Sequence, residues 1–239
     1  MIEFCKNCGC ETTGLYCAHC GQSTSTKRIN WAFFTKDFLF NNFTFHKGML
    51  FTVQSLILHP KKMLTNYLEG KRVSYTGAVQ FFLFILIFKG LVSLIHGASP
   101  ADSQYTTMIN GVETAIDIAK YMKPLIIIYT IISSFGNYLV YRSRKFNLAE
   151  HFVINFYIIG MVFLLSTLLD ILTLYKLTDY NYIPIFMIGF SYYIRIFYDK
   201  KIRIVDFFKA FGAITLNMIF AFAVLIIGAI IYAYSIDML

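Results

Sequence analysis

The feature that most constrains this chain is the succession of long apolar runs that begins at Ala78 and continues to the C-terminus. A bilayer core about 30 Å thick is crossed by about 20 consecutive apolar residues in a helix. Helix is the favoured form because every backbone polar group must be satisfied inside the segment. Spans are expected at 78–96, 123–141, 152–175, 182–198 and 210–234. The fourth is the weakest, being short and ending near Arg195. The expected fold class is an all-α integral membrane protein with about five transmembrane helices. Composition agrees: 57% of residues are hydrophobic and 14% charged, against about 45–50% and about 25% in soluble domains. With 25 Phe, 17 Tyr and 4 Pro the chain is neither disordered nor collagen-like. The spans show no repeat at a fixed period, so inverted-repeat transport symmetry has no support.

Ahead of the spans lie two further regions. Residues 1–26 form a polar module ending in the Ser/Thr linker Ser23 to Thr26. Residues 27–77 are basic and aromatic, with segments too polar (31–45) or too short (49–58) to cross. Pro60 suits the first turn of a new helix reaching about Leu68, and Gly70 suits its stop. Two or three amphipathic helices are expected over 31–69. They either lie on the membrane face or pack against the spans as core, and 49–58 either lies flat or dips in as a re-entrant segment.

The basic residues set an expected topology. Sixteen of the 21 Lys and Arg residues fall in 1–77, 142–151 and 199–209. The positive-inside rule puts those pieces in the cytoplasm, and five spans put the C-terminus in the periplasm of a bacterial inner membrane. Residues 1–26 contain no apolar h-region of a secretory signal.

All five cysteines, Cys5, Cys8, Cys10, Cys17 and Cys20, lie in the first 20 residues. Cys5-Lys6-Asn7-Cys8-Gly9 and Cys17-Ala18-His19-Cys20-Gly21 are two CxxCG knuckles. That spacing lets two thiolates converge on one ion, and the glycine permits the tight turn. Two facing knuckles make a tetrahedral site, so Cys5, Cys8, Cys17 and Cys20 are the expected zinc ligands. In the reducing cytoplasm metal is favoured over disulfides. A module this small buries little core, so metal would supply most of its folding energy. Cys10 is left as an alternate ligand or a spare thiol, and His19 as a surface residue. Lys6 is outweighed by Glu3 and Glu11 in this module, and four thiolates on a divalent ion add about −2. Such a site repels phosphates, so nucleic acid is not an expected partner. A protein-docking or fold-capping module is.

CKNCG…GLYCAHCGQ at 5–22, the following Arg28-Ile29, and HKGMLFTVQSLILHPKKMLTNYLEGKR at 46–72 carry a resemblance. The chain resembles an uncharacterised family of Bacteroidota membrane proteins, a domain of unknown function with an N-terminal zinc ribbon. The likeness covers the ribbon, the pre-membrane region and the first span; beyond about residue 100 it is one of hydropathy. Where that family shows a proline before the first span, this chain has Tyr75-Thr76-Gly77-Ala78-Val79. The resemblance implies an architecture and no activity. A second likeness, to five-span Yip-family domains, rests on span count and the Pro60 region.

Charges within spans are costly and call for an explanation. Lys89 and Asp170 fall at similar outer depths of the first and third spans. They form an ion pair, Lys89 snorkels outward, or the two serve transport. Asn137, His151, Asn155 and Asn217 lie toward the cytoplasmic ends of their helices, either lining a polar vestibule or bonding between helices. Glu150-His151 is an N-terminal charge arrangement or a proton site. Lys61, Lys62, Lys71 and Arg72 precede the first span, where contact with lipid headgroups is worth about 1 kcal/mol each. Membrane lipids are therefore expected partners, and a homo-oligomer is compatible with the pattern.

No G-x-S-x-G, glycine-rich phosphate loop, H-E-x-x-H or close carboxylate pair is present, and His46 and His59 have no evident acidic partner. The expectation is a non-enzymatic inner-membrane scaffold or adaptor whose zinc ribbon docks a cytoplasmic protein. The alternative is a small transporter or lipid-handling protein built on the helix bundle.

Overall fold

The computed structural model describes residues 3–32, 48–95, 104–109, 112–142, 146–172, 182–198 and 204–237. The N-terminal module is built as two matched halves. In the first, β1 (Glu3–Phe4) pairs antiparallel with β2 (Glu11–Thr12) across the Cys5–Gly9 turn. In the second, a bridge joins Tyr16 to Ser23 across the Cys17–Gly21 turn. The hydrogen bonds repeat at the same offset: Cys5 N–H donates to Cys10 O as Cys17 N–H does to Gln22 O. Gly9 N–H donates to Cys5 O as Gly21 N–H does to Cys17 O, each at 2.8 Å. Gly9 and Gly21 hold φ of 77° and 73°, a left-handed conformation in which a Cβ is strained.

Among the described residues these helices follow: α1 (Met49–Leu58), α2 (Pro60–Glu69), α3 (Ala78–Ile95), α4 (Ile118–Val140), α5 (Leu148–Leu172), α6 (Tyr182–Phe197) and α7 (Ile204–Asp237). A hairpin of β3 (Gln104–Ile109) and β4 (Val112–Asp117) separates α3 from α4, with Gln104 opposite Asp117. Pro60 occupies the first turn of α2, and Gly70 ends it at φ 111°. There the Lys71 amide reaches back to Asn66 O, the 6→1 bond of a Schellman stop.

Of the two placements open for the pre-membrane segment, α2 adopts packing against the spans. It buries Met63, Leu64, Tyr67 and Leu68, worth about 1.5–3 kcal/mol per side chain, and lies against α6. The Tyr67 ring meets Tyr157 of α5 edge-on, 5.5 Å between centroids. α1 buries only Thr52 and Leu56 and leaves Leu50, Phe51, Ile57 and Leu58 exposed. The segment 33–47 lies outside the described residues.

Among the described residues three helices are long and apolar enough to cross a membrane: Ala78–Ile95, Leu148–Leu169 and Ile204–Gly228. α5 is the centre, with 72% of its span window buried against 28% for α3 and 25% for α7. The outer faces of α3 and α7 expose Ile87, Leu91, Leu94, Phe211, Phe222 and Ile226, as lipid contact requires. α6 has 16 residues, which at 1.5 Å per residue is about 24 Å, short of a bilayer core of about 30 Å. For α4, the apolar stretch within the described side chains is Ile126–Val140. Length and composition thus support three spans where five were expected. Two of those begin earlier than the apolar runs, at Leu148 and Ile204, because polar first turns join the helices. α3 closes on α5 where Gly160 meets Phe81: a Cβ at 160 would stand 2.7 Å from Phe81 Cε1.

Candidate metal centre and its seat on the bundle

The two knuckles bring Cys5, Cys8, Cys17 and Cys20 together, with all four sulfurs within 4.8 Å of one another. Cys5 Sγ lies 3.5 Å from Cys20 Sγ, and Cys8 Sγ 3.6 Å from Cys17 Sγ. A tetrahedral thiolate site with metal–sulfur bonds of about 2.3 Å has sulfurs about 3.8 Å apart, and a disulfide requires about 2 Å. Cys5 and Cys17 are buried and Cys8 and Cys20 half-buried, so the site is closed on one side and reachable on the other. The four cysteines could hold a metal ion.

The electrostatics of the thiols point the same way. The Cys8 amide, aimed at Cys5, lowers the Cys5 thiol from 9.0 to about 6. For Cys8, the Cys10 amide pulls down, but desolvation and the sulfurs of Cys17, Cys20 and Cys10 outweigh it and push the thiol up. Thiolates crowded this closely repel one another, and a divalent ion between them relieves that repulsion.

The module is seated on the bundle by Gln22, the residue that follows the second knuckle. Its buried amide donates to Gly70 O at 2.6 Å and accepts from the Arg72 and Val73 amides at 3.0 and 3.4 Å. Lys6 Nζ donates to Thr26 O at 2.7 Å, and Arg72 Nη2 to Lys27 O at 2.8 Å. The linker then meets the start of α5. Arg28 donates through Nε and Nη2 to the two carboxylate oxygens of Glu150, both at 2.7 Å. Asn147 Nδ2 donates to Ile29 O, and the Ile29 side chain is fully buried. Glu150 and Asn147 also close a capping box: the Asn147 amide donates to Glu150 Oε2 and the Glu150 amide to Asn147 Oδ1. Of the two readings open for Glu150, the structure presents the N-terminal charge arrangement. The Asn147-x-x-Glu150 spacing was the signal for it; nothing local marks Gln22.

A second polar assembly lies inside the helices. Asn137 of α4 donates to Asn155 Oδ1 of α5 at 2.9 Å and to the Tyr193 hydroxyl of α6. Asn217 of α7 donates to Asn137 Oδ1 at 3.1 Å and to Tyr193 at 2.9 Å. Asn155 Nδ2 donates to Ser133 Oγ, Ser134 Oγ and Thr130 O. All seven residues are buried, so three of the predicted polar positions converge as interhelical bonds. His151 stands apart, its ring parallel to Phe197 at 5.9 Å and edge-on to Tyr138 and Phe146. Its two nitrogens have no hydrogen-bond partner among the described residues.

The other predicted positions separate. The Asp170 side chain lies outside the described residues, so the expected pairing with Lys89 does too. Lys61 lines a cavity of about 130 Å³ with Leu64, Thr65, Phe146, Ile154, Ile196 and Phe197, while Lys62 is exposed. Lys71 donates to Asn66 Oδ1 at 3.2 Å, and Arg72 also bonds Tyr67 O and lies over the Tyr67 ring. Arg195 donates to Ile57 O and Leu58 O at the end of α1.

A family model described as a protein of unknown function (DUF3667) matches residues 47–89. The match runs through α1 and α2 into α3 and includes the HPKKMLTNYLEGKR stretch, and it supports membership of an uncharacterised family. It stops short of the cysteines and speaks neither to Bacteroidota nor to Yip-family domains. No curated protein and no solved structure matches the chain.

Proposed function

We propose that this chain is a non-enzymatic membrane scaffold whose cysteine module binds zinc and docks a cytoplasmic protein. The observation that carries the reading is the exposure of Phe4, Leu15 and Tyr16 at 66%, 79% and 68%, on a polar module already fixed to the bundle. Each is apolar, and none is used by the seat. Large exposed side chains on a rigid support are what a protein contact needs. Zinc is the ion of choice because four thiolates in a closed tetrahedron suit it, and it needs no redox partner.

The proposed setting is the bacterial inner membrane, with N-terminus cytoplasmic and C-terminus periplasmic. The Lys/Arg distribution supports it. So does the meeting of three helix ends: Phe197 at the end of α6 stacks on Tyr141 after α4 and meets Phe146 before α5 edge-on. That arrangement fits α4 and α6 returning to the same side, hence five crossings. Lysine and arginine at this end favour membrane lipids as partners, and the negative module disfavours nucleic acid.

A second reading, a small transporter or lipid-handling protein, draws on the polar assembly of Asn137, Asn155, Tyr193 and Asn217. Crosslinking pull-down from native membranes separates the two. Partners captured by the intact chain and lost in Leu15→Ser/Tyr16→Ser, with bound zinc equal to that of the unsubstituted chain, support the scaffold. A partner set unchanged by that pair of substitutions but altered by Asn155→Leu supports the bundle as the working part.

A further inference from the structure

The matched halves of the module place Cys10 where Gln22 stands in the other half, each accepting the amide of its own first cysteine. Gln22 is spent on the seat. Cys10 faces the opposite way in function: its ligand atom lies within 4.8 Å of those of Cys8 and His19. His19 sits between the cysteines of the second knuckle, so the fold draws together three donors from both halves, each more exposed than Cys5 and Cys17. The sequence alone left Cys10 as an alternate ligand or a spare thiol and His19 as a surface residue.

The geometry points to a second metal site, formed by Cys8, Cys10 and His19 and sharing the Cys8 sulfur with the four-cysteine centre. A thiolate sulfur has lone pairs enough to bridge two ions. Two thiolates and an imidazole select borderline-to-soft cations, of which a second zinc ion is the proposed occupant. Three protein donors leave one position for water or an exogenous ligand, so this ion is held less tightly and exchanges faster than the first. Charge favours it: a four-thiolate zinc centre carries about −2, and a second divalent ion arriving with one further thiolate brings the pair to about −1. Cys10 and His19 sit at the exposed side of the module, which gives the ion an entry path.

This inference rests on the reading of the first site as zinc, and the experiment separates the two. The full chain in detergent, fully reduced, is titrated with Zn²⁺ against chelators of graded strength, and bound ions are counted by native mass spectrometry. Expected is one ion that resists the stronger chelator and a second that yields to it but survives the weaker. Cys10→Ser and His19→Gln should each weaken the second ion at least tenfold and leave the first in place, which also reports that the module is folded. A single ion at every zinc level, or a second ion that survives both substitutions, overturns the shared-sulfur site while the four-cysteine reading stands. Absence of the tight ion from the unsubstituted chain overturns the four-cysteine reading and the bridged pair with it.

Discussion

Arg28 and Glu150 are 122 positions apart in sequence and joined by two 2.7 Å bonds, one from each arm of the guanidinium fork. The same carboxylate caps the first turn of α5, so one buried acid serves the central helix and the linker at once. Arg28 itself is 61% exposed on its side chain, which keeps the pair near the modest range for surface pairs. Arg28→Ala should cost about 1 kcal/mol, seen as roughly fivefold faster hydrogen exchange at the Ile29–Trp31 amides. Arg28→Lys should recover only part, because an ammonium cannot reproduce the fork. Unchanged exchange in Arg28→Ala would show that the buried Ile29 alone holds the linker.

Acid should strip the metal centre before it touches the helices. Protons compete with a cation for thiolates. The Cys5 shift works in the same direction: a thiol lowered from 9.0 to about 6 stabilises the folded module fully above pH 9 and ceases to do so as pH falls through about 6. Bound zinc is expected to be retained at pH 7.5 and lost near pH 5, with circular dichroism at 222 nm nearly constant. Zinc held at pH 4 would mean ligands other than these sulfurs.

Within the bundle, the asparagines should differ in weight. Asn155 bonds Asn137, Ser133, Ser134 and Thr130, and interhelical bonds are worth about 0.6–2 kcal/mol each in membranes. Asn155→Leu should therefore cost about 2 kcal/mol in detergent unfolding. Asn217 Oδ1 has no partner among the described residues, so Asn217→Leu removes an orphan along with two bonds and should cost about half as much. Equal losses would show that packing, and not hydrogen bonding, sets the cost.

Gly160 offers a steric test of the α3–α5 contact. Its missing side chain leaves room for the buried Phe81 ring, so Gly160→Ala should destabilise by about 1–3 kcal/mol. Adding Phe81→Leu should return part of that loss, the signature of a direct clash. A Gly160→Ala chain with unchanged thermal midpoint would place slack in this interface.

What could be read in advance follows from the range of each interaction. Pro60 and Gly70 act on their own backbone, so the bounds of α2 were legible within a residue or two. The CxxCG turns act over five residues, and the two halves meet as their spacing suggests. The apolar runs gave the cores of α3, α5 and α7. Their first turns were hidden, because Asn147 to Glu150 and Asp206 read as polar loop until the cap or the burial is seen. The β3–β4 hairpin was legible and was missed: Asn110-Gly111, the two-residue hairpin signal, stands between Ile109 and Val112 in a stretch read only as the connection between two apolar runs. Hidden too were Gln22 against Gly70, and Asn137 against Asn217, since partners 48 and 80 positions apart leave no trace in a local pattern.

The seat made by Gln22 touches only main chain: one carbonyl and two amides between Gly70 and Val73. A contact of that kind reads where a strand of polypeptide runs and is indifferent to the side chains it carries. Lys71 and Val73 are therefore free to drift without unseating the module, whereas one residue inserted between Gly70 and Val73 would shift the register and leave the amide facing the wrong atoms. The junction between ribbon and membrane domain behaves as a gauge of spacing, tolerant of spelling and intolerant of length.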